Sequence, residues 1–206
     1  MSVKPSEVVI SGYDTLAVEI EGLNKLVIHN GHLSDPLNKY AKELKKISGK
    51  RNKTEEDHAK MSDIEWWGGL YIVDGVPVMP GQNIEAMLCK AAKIKRCGKE
   101  FKAGAISPDD WPIVHSGPKD LKKLAEDDAF RTRDRVVVKK SAVMRTRPCF
   151  PSWTIAFAVC FDASILNVDQ LIEFCEIASS RICCGDWTPR FGRFKVNSYH
   201  LNGKKV

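Results

Sequence analysis

Residues 153–161, WTIAFAVCF, are strongly apolar and predict a buried β-strand. A helix is expected after this strand, from Val168 to about Arg181, because Asn167 can cap it and its apolar residues recur at helical spacing. A last strand, residues 194–199, follows the helix. The C-terminal part of the chain therefore has the order strand, helix, strand.

The N-terminal part repeats this order with longer connections. Residues 16–30 alternate between apolar and polar positions, as in a half-buried strand or a bent pair of strands. Residues 83–97 predict a helix, residues 99–128 are rich in loop residues, and a strand begins at Arg135. Two helices within residues 34–68 are extra to the pattern and predict a helical insertion.

Together these elements predict an α+β fold with a ferredoxin-like (RRM-like) βαββαβ core. Such a core has a four-stranded antiparallel sheet with two helices on one face. We expect a single domain over residues 1–206, with the helical insertion at 34–68 and a basic hairpin at 139–152. The second face of the sheet would be free, and RNA-recognition domains bind single strands there.

Positive charge is concentrated in one segment. The formal net charge is +6. Residues 131–147 hold seven Lys and Arg against the single acid Asp134, and seven minus one is six, so the rest of the chain is neutral. A local basic segment is the electrostatic pattern expected for a nucleic-acid partner.

The hairpin within this segment is one candidate binding element. Its cations can contact phosphates, and Val143 and Met144 are expected to be exposed or half-exposed. We expect the arginines to be solvent-exposed, although an ordinary solvated hairpin tip would have a similar composition. The cations assigned to binding are Lys139, Lys140, Arg145 and Arg147.

A glycine-containing loop, residues 185–194 with the sequence GDWTPRFGRF, is the second candidate. Gly185 and Gly192 permit positive φ and close backbone approach, so successive amides can hold a phosphate, with Arg190 and Arg193 adding charge. Trp187 can stack on a base. The alternative is a tight turn whose aromatic residues fill the core.

Two motifs in this order resemble the RAMP superfamily, which builds the backbones of CRISPR effector complexes. Residues 78–88, VMPGQNIEAML, resemble the Pro-Gly entry of that family into its first helix. Residues 185–194 resemble its glycine-rich loop, except that Arg190 replaces the glycine before the aromatic residue. The resemblance implies binding of RNA or a DNA strand by subunits stacked along it. The pattern is also similar to uncharacterised phage and prophage proteins, which imply no function.

Two histidines are weak candidates for catalysis. His29 and His32 flank Gly31 after the first strand, and a pair of imidazoles can perform acid–base cleavage of RNA. The RAMP resemblance implies a general-base histidine near this region in the metal-independent ribonucleases. The segment is equally a polar turn, no partner residue can be located, and we expect no catalytic residues.

The remaining composition bears on cofactors and location. Seven cysteines show no CxxC spacing, so we expect reduced, mostly buried thiols and neither a metal nor another cofactor. No apolar run reaches transmembrane length, and a cytoplasmic protein of a prokaryote or a phage-infected host cell is expected.

Three functions remain open from the sequence. The leading hypothesis is a subunit that binds single-stranded RNA or DNA, with RNA favoured, and self-associates along the strand into a filament or ring. The second is a metal-independent endoribonuclease of RAMP type using His29 or His32. The third is a phage-encoded inhibitor or structural protein that binds another protein through Trp66, Trp67 and residues 50–57.

Overall fold

A computed structural model describes Pro5, residues 8–138 and residues 141–206. The strands are β1 (Asp14–Gly22), β2 (Leu26–Val27), β3 (Ile72–Val73), β4 (Val76–Pro80), β5 (Ala105–Ile106), β6 (Asp110–His115), β7 (Arg131–Val138), β8 (Ser141–Phe150), β9 (Trp153–Phe161), β10 (Phe194–Leu201) and β11 (Lys204–Lys205). The helices are α1 (Lys39–Ser48), α2 (Glu55–Gly69), α3 (Gly81–Ile94), α4 (Gly98–Gly104), α5 (Leu121–Glu126) and α6 (Val168–Ile177).

The predicted fold class is confirmed. The core order is β1, α3, β6, β9, α6, β10, and the sheet order β10-β1-β9-β6 is that of a ferredoxin-like domain. All pairings within these four strands are antiparallel. The sheet is extended at one edge by β4 and β3 and at the other by β11.

The second core strand differs from the prediction. It is β6, which lies within the segment expected to be loop-rich, whereas the strand beginning at Arg135 belongs to β7 in a different sheet. Trp111 and Ile113 of β6 are buried in the core. Pro112 between them conceals the strand in the sequence, because proline is depleted in strand interiors.

Capping residues in the sequence mark the starts of helices α2 and α6. Thr54 and Asn167 each form a capping box at the start of α2 and α6, as the sequence pattern of α2 predicts. The first helix of the insertion is shorter than expected: residues 31–34 form a separate 3-10 turn, and α1 begins only at Lys39, capped by Asn38.

One face of the main sheet carries the core. Leu16, Val18 and Ile20 of β1 are buried on the side of α6, where Tyr199 of β10 donates a hydrogen bond to Glu176 at 2.7 Å. Six of the seven cysteines are buried, as expected. Burial raises the pKa of the Cys175 thiol to about 12.

The opposite face of the sheet is acidic at its centre. Glu19 and Glu21 of β1 accept hydrogen bonds from Asn197, and Lys195 pairs with Glu21 at 3.1 Å. Small residues of β9, Thr154 and Ala156, lie beside these carboxylates. Carboxylates repel phosphate groups, so this surface does not suit the RRM-like use that we expected for the free face.

Candidate nucleic-acid interface

A second, three-stranded sheet of order β2-β8-β7 carries the basic hairpin. The hairpin spans β7 and β8, with paired positions from Arg131↔Pro148 to Val138↔Ser141, and so begins earlier than the predicted residues 139–152. Directly paired residues of antiparallel strands share a face. Arg133 and Thr146 therefore lie on one side of the hairpin, and Thr132 and Arg147 lie on the other.

These two faces have different neighbours. Helix α2 packs on the first face, which we call the helix face: Ser62 and Thr146 share a hydrogen bond of 2.8 Å there. The second face, the loop face, meets Lys25 and the glycine-containing loop. Lys25 donates to Thr132 at 3.0 Å, and Arg147 contacts Asp186.

Three of the five cations that the structure describes in residues 131–147 are paired with carboxylates. The N–O distances are 3.0 Å for Arg131–Asp63, 2.5 Å for Arg145–Glu65 and 2.5 Å for Arg147–Asp186. The acids come from α2 and from the glycine-containing loop. The charge available to an outside partner is therefore smaller than the sequence count of this segment.

Arg145 is a structural residue in this arrangement. Its side chain is 34% exposed, whereas that of its partner Glu65 is only 4% exposed. Glu65 also accepts a hydrogen bond of 2.8 Å from the backbone amide of Thr146, at the edge of β8. The expectation of solvent exposure is wrong for Arg147, whose side chain is only 14% exposed, and Arg145 is exposed only in part.

Tight packing explains both glycines of the loop. Gly185 and Gly192 have φ values of +83° and +73°. A Cβ atom on Gly185 would lie 2.3 Å from the carbonyl oxygen of Val27, and one on Gly192 would lie 1.7 Å from that of Cys184. The loop is thus folded against β2 and against itself, as the sequence reasoning about close backbone approach anticipates.

The amides of the loop are already used. The amide of Asp186 donates to Val27 O at 2.7 Å, and that of Gly192 donates to Lys25 O at 3.0 Å. The amide of Arg193 donates to Asn24 Oδ1 at 2.9 Å. The expectation that successive amides here cradle a phosphate is therefore wrong for these three groups.

Side chains of the loop and its neighbours form a cluster of three cations and two aromatic rings. The guanidinium carbon of Arg147 lies 4.5 Å from the ring centre of Trp187. Lys25 Nζ lies 4.5 Å from the ring centre of Phe191, and the guanidinium carbon of Arg190 lies 5.4 Å from it. All three distances are in the cation–π range. We call these five residues the cation–aromatic strip.

The strip is open to solvent in part. Trp187 and Phe191 are half-buried with ring centres 6.3 Å apart, and Arg190 is exposed. Arg193 is also exposed and donates to Ser180 O at 3.3 Å. Within the part of the chain that the structure describes, no carboxylate pairs with Arg190 or Arg193.

Sequence patterns do not identify two members of the strip as binding residues. Lys25 lies in a short break between β1 and β2, and Phe191 is expected only as a core residue. The contact between Lys25 and Phe191 joins distant parts of the sequence, so no local pattern indicates it. Lys139 and Lys140, which the sequence assigns to binding, lie outside the described residues. Met144 is 49% exposed and Val143 is half-buried, as expected.

The two candidate histidines occupy different environments. His32 is exposed in the turn before α1, and its amide donates to Asn30 Oδ1. His29 is half-buried between a cleft of about 180 Å³, shared with Tyr71 and Lys90, and a cavity of about 250 Å³, shared with Arg145 and Arg147. Burial, and then the positive charge of Arg147, lowers the pKa of His29, which favours the neutral imidazole.

The protein-binding alternative cannot use one of its two tryptophans. Trp66 is fully buried and donates from Nε1 to Phe130 O at 2.8 Å. It therefore cannot meet a partner. Trp67 is half-buried and packs edge-on against Trp66, at 5.1 Å between ring centres.

The described ranges contain neither a cluster of metal ligands nor a membrane-spanning helix. Within them, no group of three His, Cys, Asp or Glu side chains is placed to hold a metal ion. None of the helices in residues 8–138 and 141–206 is long and apolar enough to cross a membrane.

The ion pair of Arg145 yields a stability prediction. Arg145→Ala should lower the free energy of unfolding by about 2 kcal/mol, because it leaves the carboxylate of Glu65 buried without its cation. Arg135→Ala removes an exposed charge from the same hairpin and should change stability by less than about 0.5 kcal/mol. Urea unfolding monitored by circular dichroism measures both.

A double variant tests the cause. Glu65→Gln removes the buried charge but keeps an oxygen that can accept from the Thr146 amide, so adding it to Arg145→Ala should recover part of the loss. Equal stability of Arg145→Ala and Arg135→Ala would show that the Glu65 pair contributes nothing.

Comparisons with known proteins identify no family. No family model matches the chain, and no curated protein matches it. Among solved structures, the chain is similar to a chain in the cryo-EM structure of the Type III-B Cmr-beta bound to cognate target RNA, with 12% sequence identity and a TM-score of 0.47. The match covers 92% of this chain and 61% of that chain. At this level of likeness, function has to be inferred from the side chains themselves.

Proposed function

We propose that this protein binds single-stranded nucleic acid through the cation–aromatic strip, and RNA is the strand to test first. The single observation that carries the proposal is a cluster of three cations around two neighbouring, half-buried rings: Arg147, Trp187, Phe191, Arg190 and Lys25. Single-strand-binding proteins combine stacking rings with cations that follow the backbone.

The strip is held in shape before any ligand arrives. Asp186 fixes the guanidinium of Arg147, and that group in turn lies over the ring of Trp187. Trp187 has a φ of +54°, a conformation that few non-glycine residues adopt, so the loop backbone determines its position. A preformed ring loses little conformational entropy on binding, which favours affinity.

The same composition favours weak base preference. Every base has a π-face that can stack on Trp187, and phosphate contacts from Arg190 or Arg193 carry no sequence information. A duplex would hide its base faces from these rings. The proposal therefore specifies a single strand rather than a base sequence.

Salt dependence tests the proposal. For a fluorescent uridine oligonucleotide, Arg190→Ala with Arg193→Ala should weaken binding and reduce the slope of log K against log salt by about 1.4, because each neutralised phosphate of a single strand contributes about 0.7 to that slope. The matched control is Lys204→Ala with Lys205→Ala, which removes the same charge at the opposite end of β10. Fluorescence anisotropy at several salt concentrations gives both slopes.

Two results would reject the strip as the binding surface. One is wild-type affinity that does not change with salt. The other is an equal decrease of affinity in the two double variants, which would show that only net charge matters.

Self-association along the strand is the second part of the proposal. It rests on the RAMP resemblance and on the small size of the strip, which can contact only a few nucleotides. Linking several weak sites on one strand raises the overall affinity. We expect the mass of the complex, measured by light scattering, to increase with oligonucleotide length. A one-to-one complex on a long strand would contradict this part alone.

The position of His29 supports a second candidate, a metal-independent ribonuclease. A neutral imidazole beside Arg147 and a cleft containing Lys90 is a suitable general base. We nevertheless expect wild-type protein to cut no RNA in the presence of a chelator, and His29→Ala to bind RNA as wild type does. Cleavage that is abolished in His29→Ala but kept in His32→Ala would establish the ribonuclease instead.

A further inference from the structure

A groove of about 410 Å³ separates the helical insertion from the helix face of the hairpin. We call it the insertion groove. Its walls come from the start and middle of α2 and from β7 and β8. Its lining includes Lys53, His58, Met61, Arg133, Val143 and Met144. None of these six belongs to the cation–aromatic strip.

The groove is apolar inside and cationic at its rim. Met61 and Met144 supply the apolar surface, and the Met144 side chain is 49% exposed. Arg133 is exposed and pairs with no carboxylate within the described residues. A ligand for this site should therefore combine a flat or apolar part with a negative charge.

The one acid of the groove does not oppose such a ligand. Glu65 also lines it, but both oxygens of its carboxylate are occupied, one by Arg145 and one by the Thr146 amide. Its charge is compensated inside the protein. Lys53 and Arg133 consequently give the rim a net positive charge.

The insertion groove has a second cavity as its neighbour, on the side of the strip. Arg145 and Thr146 line the insertion groove and also the 250 Å³ cavity that contains His29, Val136 and Arg147 on the loop face. The two cavities thus share a wall at the edge of β8, where Glu65 contacts Arg145 and the Thr146 amide. Arg147 then connects this second cavity to Trp187.

We propose that the insertion groove binds a further nucleotide of the strand that occupies the cation–aromatic strip. The base would lie against Met61 and Met144, because thioethers make favourable contacts with aromatic rings, and its phosphate would meet Lys53 or Arg133. The strand passes from one face of the hairpin to the other across the β8 edge at Arg145. This inference rests on the proposed function, since the strip supplies the neighbouring nucleotides.

The experiment compares short and long oligonucleotides. Uridine oligomers of about four nucleotides should reach the strip only, whereas oligomers of about ten should reach both sites, within the range that single-strand-binding domains cover. The groove variant is Arg133→Ala with Met144→Ser. It should weaken binding of the long oligomer about tenfold, leave the short one unchanged and keep the wild-type melting temperature.

Two controls make the result specific. Lys60→Ala removes one positive charge from an exposed position on α2 that does not line the groove, and it should bind both lengths as wild type does. If the groove variant has a lower melting temperature than the wild type, Lys53→Ala alone is used in its place. Lys53→Ala should likewise weaken binding of the long oligomer and leave binding of the short one unchanged.

The outcomes separate this inference from the proposed function. If the wild-type protein binds neither oligomer, the proposed function itself is rejected. If the groove variant binds both oligomers as tightly as the wild type does, the inference is overturned, whereas the proposed function of the strip still stands. A poly-glutamate peptide that binds wild type but not the groove variant, while oligonucleotide binding is the same in both, would show that the groove binds acidic polypeptide and would also overturn it.

Discussion

The ion pair between Arg147 and Asp186 connects the two parts of the chain on which the candidate site depends. Arg147 belongs to the inserted hairpin, and Asp186 belongs to the loop between the last core helix and the last core strand. Their N–O distance of 2.5 Å, with Arg147 only 14% exposed, fixes the hairpin against the loop. Without this ion pair, Trp187 would lose the cation above its ring and the strip would lose its continuity.

Pairing of the arginines changes what the basic segment can do. A partly buried ion pair costs desolvation energy that its attraction roughly offsets, so it fixes geometry more than it adds stability. Arg145 and Arg147 accordingly position the hairpin, while exposed cations such as Arg190 and Arg133 remain available to a polyanion. The acidic centre of the main sheet, with Glu19 and Glu21, directs such a partner away from that face.

Local sequence patterns predict those structural features that depend on residues close together in the chain. The capping box of Thr54 and the close approach of Gly192 to Cys184 each depend on residues near one another in the chain. Long-range contacts are not predictable in this way. Glu65 and Arg145 are 80 positions apart, and nothing in the sequence indicates that this acid neutralises that arginine. For the same reason, the sequence does not reveal that amides of the glycine-containing loop already donate hydrogen bonds to distant residues such as Lys25 and Val27.

Photocrosslinking tests the central claim most directly. A uridine oligonucleotide is irradiated in complex with the protein, and mass spectrometry locates the crosslinked residues. We expect crosslinks at Trp187 and Phe191, whose half-buried rings are in contact with cations, and these crosslinks should disappear at high salt. Crosslinks confined to the main sheet around Thr154 and Ala156, with none at Trp187 or Phe191, would contradict it.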